Sequence, residues 1–386
     1  MSKVVESVEH SFRKFFVYPV LKRVFRNDVW EQKIDLATVQ RVLIFRYDRI
    51  GDLIVTTPIF QILKSRNPRL HLTLLVSSAN AELVRSNRFI DEVVELPSNW
   101  IKLFALVLRL RRQHFDVVLN FIFNRTTGPG ILANLIAPKG LKIGQGPDRY
   151  AFYFNRLLKL PRFEEHMIRS LVYCVEEVFD IRVTNAELKF HIPVDDETNR
   201  LIDAFLDQHQ FSRQSRKLQG RRPYVLFNLS AKDRERRISS RQAAALAEHL
   251  SRREDIATVY LCAPEDAEMN GAVNRESSFS GSVLYETAET HPLTQIASLV
   301  AGAVLVITPD TSIIHFASAM GTPVLGLYTS LQGMEEWLPH NIRYRVIKAP
   351  EGKPASAIEP ADIIRAADEF LASLLGPNRQ LASSEV

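Results

Sequence analysis

Apolar and polar positions along the chain fall into two blocks of alternating strand-like and helix-like pattern, separated by a polar stretch over 195–222. In the first block, runs at 42–45, 72–76, 92–96 and 117–121, with a fifth near 141–143, are short, apolar and bounded by polar turns. Buried strands read this way. Helical spacing lies between them, notably at 79–86 and 100–112, and further helices are predicted over 150–160 and 166–179. The polar stretch holds a helix near 198–208 and then a Gln-, Arg- and Ser-rich run over 210–222. In the second block the pattern predicts strands at 224–228, 258–262, 282–284, 304–307 and 324–328, and helices at 240–251, 265–270, 293–300 and 311–320. A last amphipathic helix spans 360–374, and 376–386 reads as a frayed polar tail. Such alternation predicts the α/β class with a parallel, doubly wound sheet in each block. The expected organisation is an N-terminal extension (1–40), a first Rossmann-like domain (41–194), a connection (195–222), a second Rossmann-like domain (223–350) and a C-terminal helix and tail (351–386).

Two strand ends carry the chemistry. In the second block the apolar run ends at Thr308-Pro309-Asp310, and Ile313, Phe316, Ala317 and Met320 then form one buried helical stripe, stopped by Gly321 and Pro323. Thr311, Ser312, His315 and Ser318 fall on a second, polar face. An aspartate and hydroxyls at a helix N-terminus suit a phosphorylated, polyhydroxylated ligand. In the first block 42–45 runs into a polar turn, Arg46 to Gly51, and then a helical pattern after Asp52. Gly51 is expected to permit a turn that leaves the Asp52 carboxylate at the strand's C-terminal edge. Pro58 either bends this helix or opens it, with Thr57 as cap. Two such edges, far apart in sequence, suggest two sheets facing each other across a cleft.

At 386 residues the length suits two domains, and 46% apolar with 24% charged residues is ordinary for a globular protein. A net charge of +5 and a pI near 9.1 favour anionic partners. No nucleic-acid module accompanies the charge, so nucleic acid is not expected as a partner. Cys174 and Cys262, without metal-ligand spacing, read as buried free thiols in a reducing compartment. No signal peptide and no run near the ~20 apolar residues of a spanning helix are visible, so a cytoplasmic protein is expected. Residues 11–26 interleave Phe12, Phe15, Phe16, Leu21 and Phe25 with Arg13, Lys14, Lys22 and Arg23. That stretch suits either an interfacial helix on the inner face of the cytoplasmic membrane or an arm packed on its own domain.

The motif RxDxIGDxxxxTP from Arg46 to Pro58 and PDTSxxHxAxAxGTPVxxLYT from Pro309 to Thr329 resemble the two signatures of glycosyltransferase family 9, the lipopolysaccharide heptosyltransferase family. The resemblance runs from about Arg41 to Trp337. It implies a GT-B fold, with acceptor on the first domain, nucleotide sugar on the second, inversion at the anomeric carbon and no catalytic metal or other cofactor. Asp52 matches the family's general base, with Asp48 as competitor and a helix-capping role as the alternative. Arg49 reads as a contact to an acidic acceptor.

Ser230 and Arg236 fall where the family has a small-residue turn followed by a Lys-Arg-Trp-Pro-like run that grips the diphosphate. Here Ile238 and Ser239 replace the aromatic and the proline, and Arg234, Arg236 and Arg237 compete for the phosphate. A solvated basic face is the plainer reading. Asp310, Thr311, Ser312 and His315 match donor-binding positions, and Asp266, beside Glu265, stands where the family places an acid on the nucleoside. Alternatively Asp310 is an N-cap and His315 a core histidine. The implied reaction moves heptose from ADP-heptose to a lipopolysaccharide core or related glycan. A UDP- or GDP-sugar on the same fold, or a non-catalytic nucleotide-sugar-binding protein, are the rival readings.

Overall fold

A computed structural model describes residues 18–25, 27–123, 126–214, 220–263, 282–287, 292–329 and 334–375. One compact unit runs to Pro161 and takes in Ile168–Glu187; the other comprises Arg162–Met167 and continues from Leu188.

The first unit holds six strands, β1 (Arg41–Phe45), β2 (His71–Val76), β3 (Glu92–Glu95), β4 (Val117–Asn120), β5 (Leu141–Gln145) and β6 (Arg156–Leu158). They pair in the order β3-β2-β1-β4-β5-β6, all parallel. β1 and β4 are near-continuous apolar runs because a parallel sheet with both faces covered has no solvent side. One face packs Leu43, Phe45, Leu75 and Val118 against Val107 and Leu110 of helix Trp100–Arg111 and Leu132, Ala133 and Ile136 of helix Thr127–Ile136.

The second unit repeats the plan with β7 (Phe211–Ser212), β8 (Arg222–Asn228), β9 (Ala257–Leu261), β10 (Ser282–Tyr285), β11 (Leu305–Pro309), β12 (Val324–Tyr328) and β13 (Tyr344–Lys348). Their parallel order is β10-β9-β8-β11-β12-β13, with β7 paired to β8. Val225, Phe227, Leu305, Ile307, Leu325 and Leu327 present one face to helices Ser240–Ser251 and Pro360–Leu375. On the opposite face, Tyr224 donates its hydroxyl proton to the Leu299 carbonyl of helix Pro292–Gly302 at 2.5 Å. Residues 196–214 belong to this unit too: Arg213 bridges Asp203 on helix Asp196–Gln208 to the Ser298 carbonyl.

Both units are doubly wound α/β sheets, as the alternation predicts. In each, the chain reverses its direction of strand addition once, between β1 and β4 and between β8 and β11. Ligands of such sheets bind outside the carboxyl ends of the strands at that reversal.

Several local expectations change. A 3-10 turn (Asp148–Tyr153) and β6 replace the helix expected over 150–160. Asn155 takes the edge of β5, its amide donating to the Lys142 carbonyl at 2.8 Å and its side-chain oxygen accepting from the Lys142 amide at 2.9 Å. Phe154 then covers Gly144, where a Cβ would meet its ring at 2.5 Å. That glycine therefore serves packing. The helix expected over 79–86 is one turn, Ser78–Ala81, and β6, β7 and β13 carry no strong strand pattern in the sequence.

Pro58 neither opens nor ends its helix, which runs unbroken from Ile50 to Arg66. Proline removes the amide that would donate to the Ile54 carbonyl, and the Thr57 hydroxyl donates there instead at 2.7 Å. Gly51 sits in the first helical turn, outside the set of positive-φ glycines, so no special backbone conformation is needed there. Half of the stretch given the interfacial reading, 11–17 and 26, lies outside the described residues, as do Asp266 and the helix expected at 265–270. The described helix Tyr18–Val24 contacts its own unit, with the Lys22 ammonium 5.6 Å from the centre of the Phe152 ring. No described helix is long and apolar enough to cross a membrane.

Candidate active site

At the first reversal, the turn after β1 begins with Arg46, whose side chain is fully buried. A buried guanidinium must spend its donors on acceptors. Nε donates to the Asp52 carbonyl and the Thr56 hydroxyl, each at 2.9 Å. Nη1 donates to Asp48 Oδ2 at 3.2 Å and to the Phe121 carbonyl just beyond β4, and Nη2 lies 3.2 Å from Asp52 Oδ1. Arg46 thus joins the two strand ends and holds both carboxylates of the turn.

The two carboxylates differ. Asp48 Oδ1 is buried without a hydrogen-bond partner, and burial, reinforced by the nearby Asp52 charge and opposed by Arg46, raises its pKa from 3.8 to about 6. Asp52 lies in the first turn of its helix, where a negative charge is favoured by the helix dipole. Its side chain keeps 13% exposure, and no hydrogen bond among the described residues occupies its carboxylate oxygens. It can accept a proton from outside; Asp48 Oδ1 is shut in. Arg49 is exposed at the N-cap of the same helix.

At the second reversal, Asn228 ends β8 and donates to the Ser230 carbonyl and Thr308 Oγ1, both at 3.0 Å, and to Thr311 Oγ1 at 3.3 Å. Ser230 ties the β8 and β9 ends together: its amide donates to Asn228 Oδ1 at 3.3 Å and its Oγ accepts from the Ala263 amide at 2.8 Å. Arg236 reaches across to the turn after β11, with Nη1 3.1 Å from Asp310 Oδ2 and 3.2 Å from the Asp310 carbonyl. Arg237 instead donates Nε to the Ala231 carbonyl at 2.8 Å, and Arg234 is exposed. Thr311 and Ser312 precede the helix Ile313–Met320, and no backbone carbonyl among the described residues accepts from either amide. Those amides, the Arg236 fork and the Asp310 carboxylate make one polar edge suited to a phosphate beside a hydroxylated group.

Ile238 and Ser239 have local reasons to differ from the family run. Ile238 is buried in the core of this unit, and Ser239 caps helix Ser240–Ser251 in a reciprocal box with Gln242.

A model of glycosyltransferase family 9 (heptosyltransferase) matches residues 103–360, two thirds of the chain. The chain belongs to that family. This glycosyltransferase is 23% identical over 330 residues to the lipopolysaccharide core heptosyltransferase OpsX of Haemophilus influenzae, covering 82% of this chain and 88% of the relative. Among solved structures it is similar to a family 9 glycosyl transferase of Veillonella parvula, with TM-score 0.74 and 20% identity over 88% of this chain and 99% of the other. It is also similar to the E. coli heptosyltransferase WaaC with ADP, with TM-score 0.65 and 16% identity over 86% and 99%. Both likenesses support the GT-B fold. The Arg46 turn precedes the matched residues, so its chemistry rests on its own geometry.

The site departs from the sequence picture in three places. Helix Ile313–Met320 is buried nearly all round, so no solvent-facing polar stripe exists: Ser318 donates to the Ile314 carbonyl and accepts from the His340 amide. His315 is only 4% exposed, edge-on to Trp337, with Nδ1 buried and unpartnered. Cys174 is buried and its thiol pKa is pushed up to about 12, but Cys262 is half-buried, its Sγ 3.7 Å from Ser230 Oγ. Arg46, Asn228 and Thr308 were singled out by no sequence argument of their own. The available signal was a polar residue closing or directly following an apolar strand run at each reversal.

Burial, then the charge of Arg236, lowers the His315 pKa from 6.5 to about 3. The unfolded chain therefore binds a proton that the folded chain refuses within that window, and stability falls as pH drops below 6.5. Asp48 acts in the opposite sense, since its folded pKa is raised. Comparison with His315→Asn cancels the Asp48 contribution. Between about pH 6.5 and about pH 5.5, wild type should lose roughly 1 kcal/mol relative to the variant, measured by urea unfolding at both pH values. A pH-independent difference would show that His315 is not buried neutral.

Proposed function

We propose that this glycosyltransferase transfers heptose from ADP-heptose to a lipopolysaccharide core or related glycan, with inversion and without a metal. The supporting observation is the pair of strand-reversal sites: a carboxylate with open lone pairs held by Arg46, and an Arg236–Asp310 edge beside two unspent amides. The ADP-bound relative of the same fold favours an adenine nucleotide. In this mechanism Asp52 takes the proton of the acceptor hydroxyl, whose oxygen forms the new bond to the anomeric carbon. The bond from that carbon to the β-phosphate oxygen breaks, and ADP leaves with the electron pair. Arg236 and the Thr311 and Ser312 amides bear the charge that builds on the leaving diphosphate. Asp310, held against Arg236, accepts from sugar hydroxyls. Arg49 meets an acidic acceptor.

The full chain, ADP-heptose and a heptose-deficient lipopolysaccharide core, incubated with excess chelator, should yield ADP and a product whose new linkage has the opposite anomeric configuration to the donor by NMR. Chelator-sensitive turnover, retention of configuration, or turnover only with a UDP- or GDP-sugar would each remove the corresponding part of the reading. No turnover with any donor would favour a binding role.

A further inference from the structure

Helix Trp100–Arg111 is built to stand in place before any partner arrives. Asn99 caps it, its side chain accepting from the amides of Ile101 at 2.9 Å and Lys102 at 3.2 Å, while Val107 and Leu110 anchor the inner face in the core of the first unit. The outer face is unusual for a surface helix. Trp100 is 75% exposed, Phe104 63%, Ile101 58% and Leu108 42%. At 3.6 residues per turn these four share an arc of ~120° with Arg111 and Arg112, and Lys102 and Arg109 border it. No acidic residue lies between Trp100 and Arg112. Neighbouring apolar side chains left in water on one face mark an interaction surface.

We propose that this face docks on a lipid bilayer surface bearing anionic headgroups. Three features select that partner. Tryptophan and phenylalanine beside arginines match the interfacial zone, where rings enter the acyl boundary and cations remain among phosphates. Arg109 is paired with Glu92 at 3.3 Å, but Lys102, Arg111 and Arg112 add attraction of one sign, which an anionic surface rewards at many positions without a matched carboxylate for each. A second copy of the face is disfavoured, because a two-fold contact brings the cations of two like faces into one interface with no acidic residue of the helix to pair them. The stretch at 11–26, half of which lies outside the described residues, is a separate basic segment; the proposal concerns this helix alone and does not depend on the reaction assigned above.

The test is sedimentation of the full chain with vesicles of phosphatidylcholine alone or mixed with phosphatidylglycerol. The wild type should pellet with the mixed vesicles and remain in solution with the neutral ones. Trp100→Ser/Phe104→Ser should lower the partition coefficient at least ~10-fold, as expected for two large side chains leaving the interface. Arg111→Glu/Arg112→Glu should abolish the preference for mixed vesicles. As a second readout, vesicles with brominated acyl chains should quench wild-type tryptophan fluorescence, and Trp100→Phe should remove most of that quenching while preserving bulk. Equal pelleting of wild type and the Ser variant would overturn the proposal, as would quenching unchanged by Trp100→Phe. So would a wild-type dimer without lipid that the Ser variant disperses, which would make the face an interface between copies.

Discussion

Asp52→Asn should lower kcat at least ~100-fold while leaving the nucleotide dissociation constant within about twofold, since positioned general bases contribute ~100- to 10,000-fold. The geometry explains both halves. The amide is nearly isosteric, keeps the helix start and can still lie against Arg46, but it cannot take a proton at neutral pH. In the proposed mechanism nucleotide binding belongs to the other unit. Asp48→Asn is the control. Its Oδ1 is buried and its Oδ2 faces Arg46, so this substitution should cost much less turnover than Asp52→Asn. Steady-state kinetics with isothermal titration of ADP would separate the two. Near-normal kcat in Asp52→Asn, or a greater loss in Asp48→Asn, would remove the assigned base.

Arg236→Ala should lower kcat/KM by ~100-fold, in keeping with charge-assisted hydrogen bonds worth ~1.5–3 kcal/mol each, and should weaken ADP binding. Arg236→Lys keeps the charge but loses the two-pronged grip, so an intermediate loss is expected. Arg234→Ala should stay within about twofold, since an exposed cation is screened and largely idle. Arg237→Ala should act through the loop, because its guanidinium supports the Ala231 carbonyl. Equal losses at all three would mean that a diffuse basic face, rather than the Arg236–Asp310 pair, attracts the diphosphate.

The alternation of 3.6-residue and strand-like patterns was sufficient to predict two parallel α/β units. A central parallel strand is buried on both faces and reads as apolar almost throughout, so β1, β4, β8 and β12 announce themselves in the chain, while the edge strands β3 and β13 stay partly exposed. Asp310 directly follows such a strand, where a polar residue has few local reasons to be, while Asp52 and Arg236 were marked by the family resemblance, with Arg234 and Arg237 left in competition. What stayed hidden depended on neighbours remote in sequence. The β6 edge exists because Asn155 pairs with Lys142. His315 belongs to a helical pattern whose polar positions look solvated, yet packing from His340 and Trp337 covers it. Arg46 reads as a surface cation until Thr56, Asp48, Asp52 and the Phe121 carbonyl close around it. Periodicity reports only which side of an element meets something apolar. Which of three arginines meets an aspartate 74 residues away is decided when loops from separate strands converge, and that pairing is a property of the folded sheet alone.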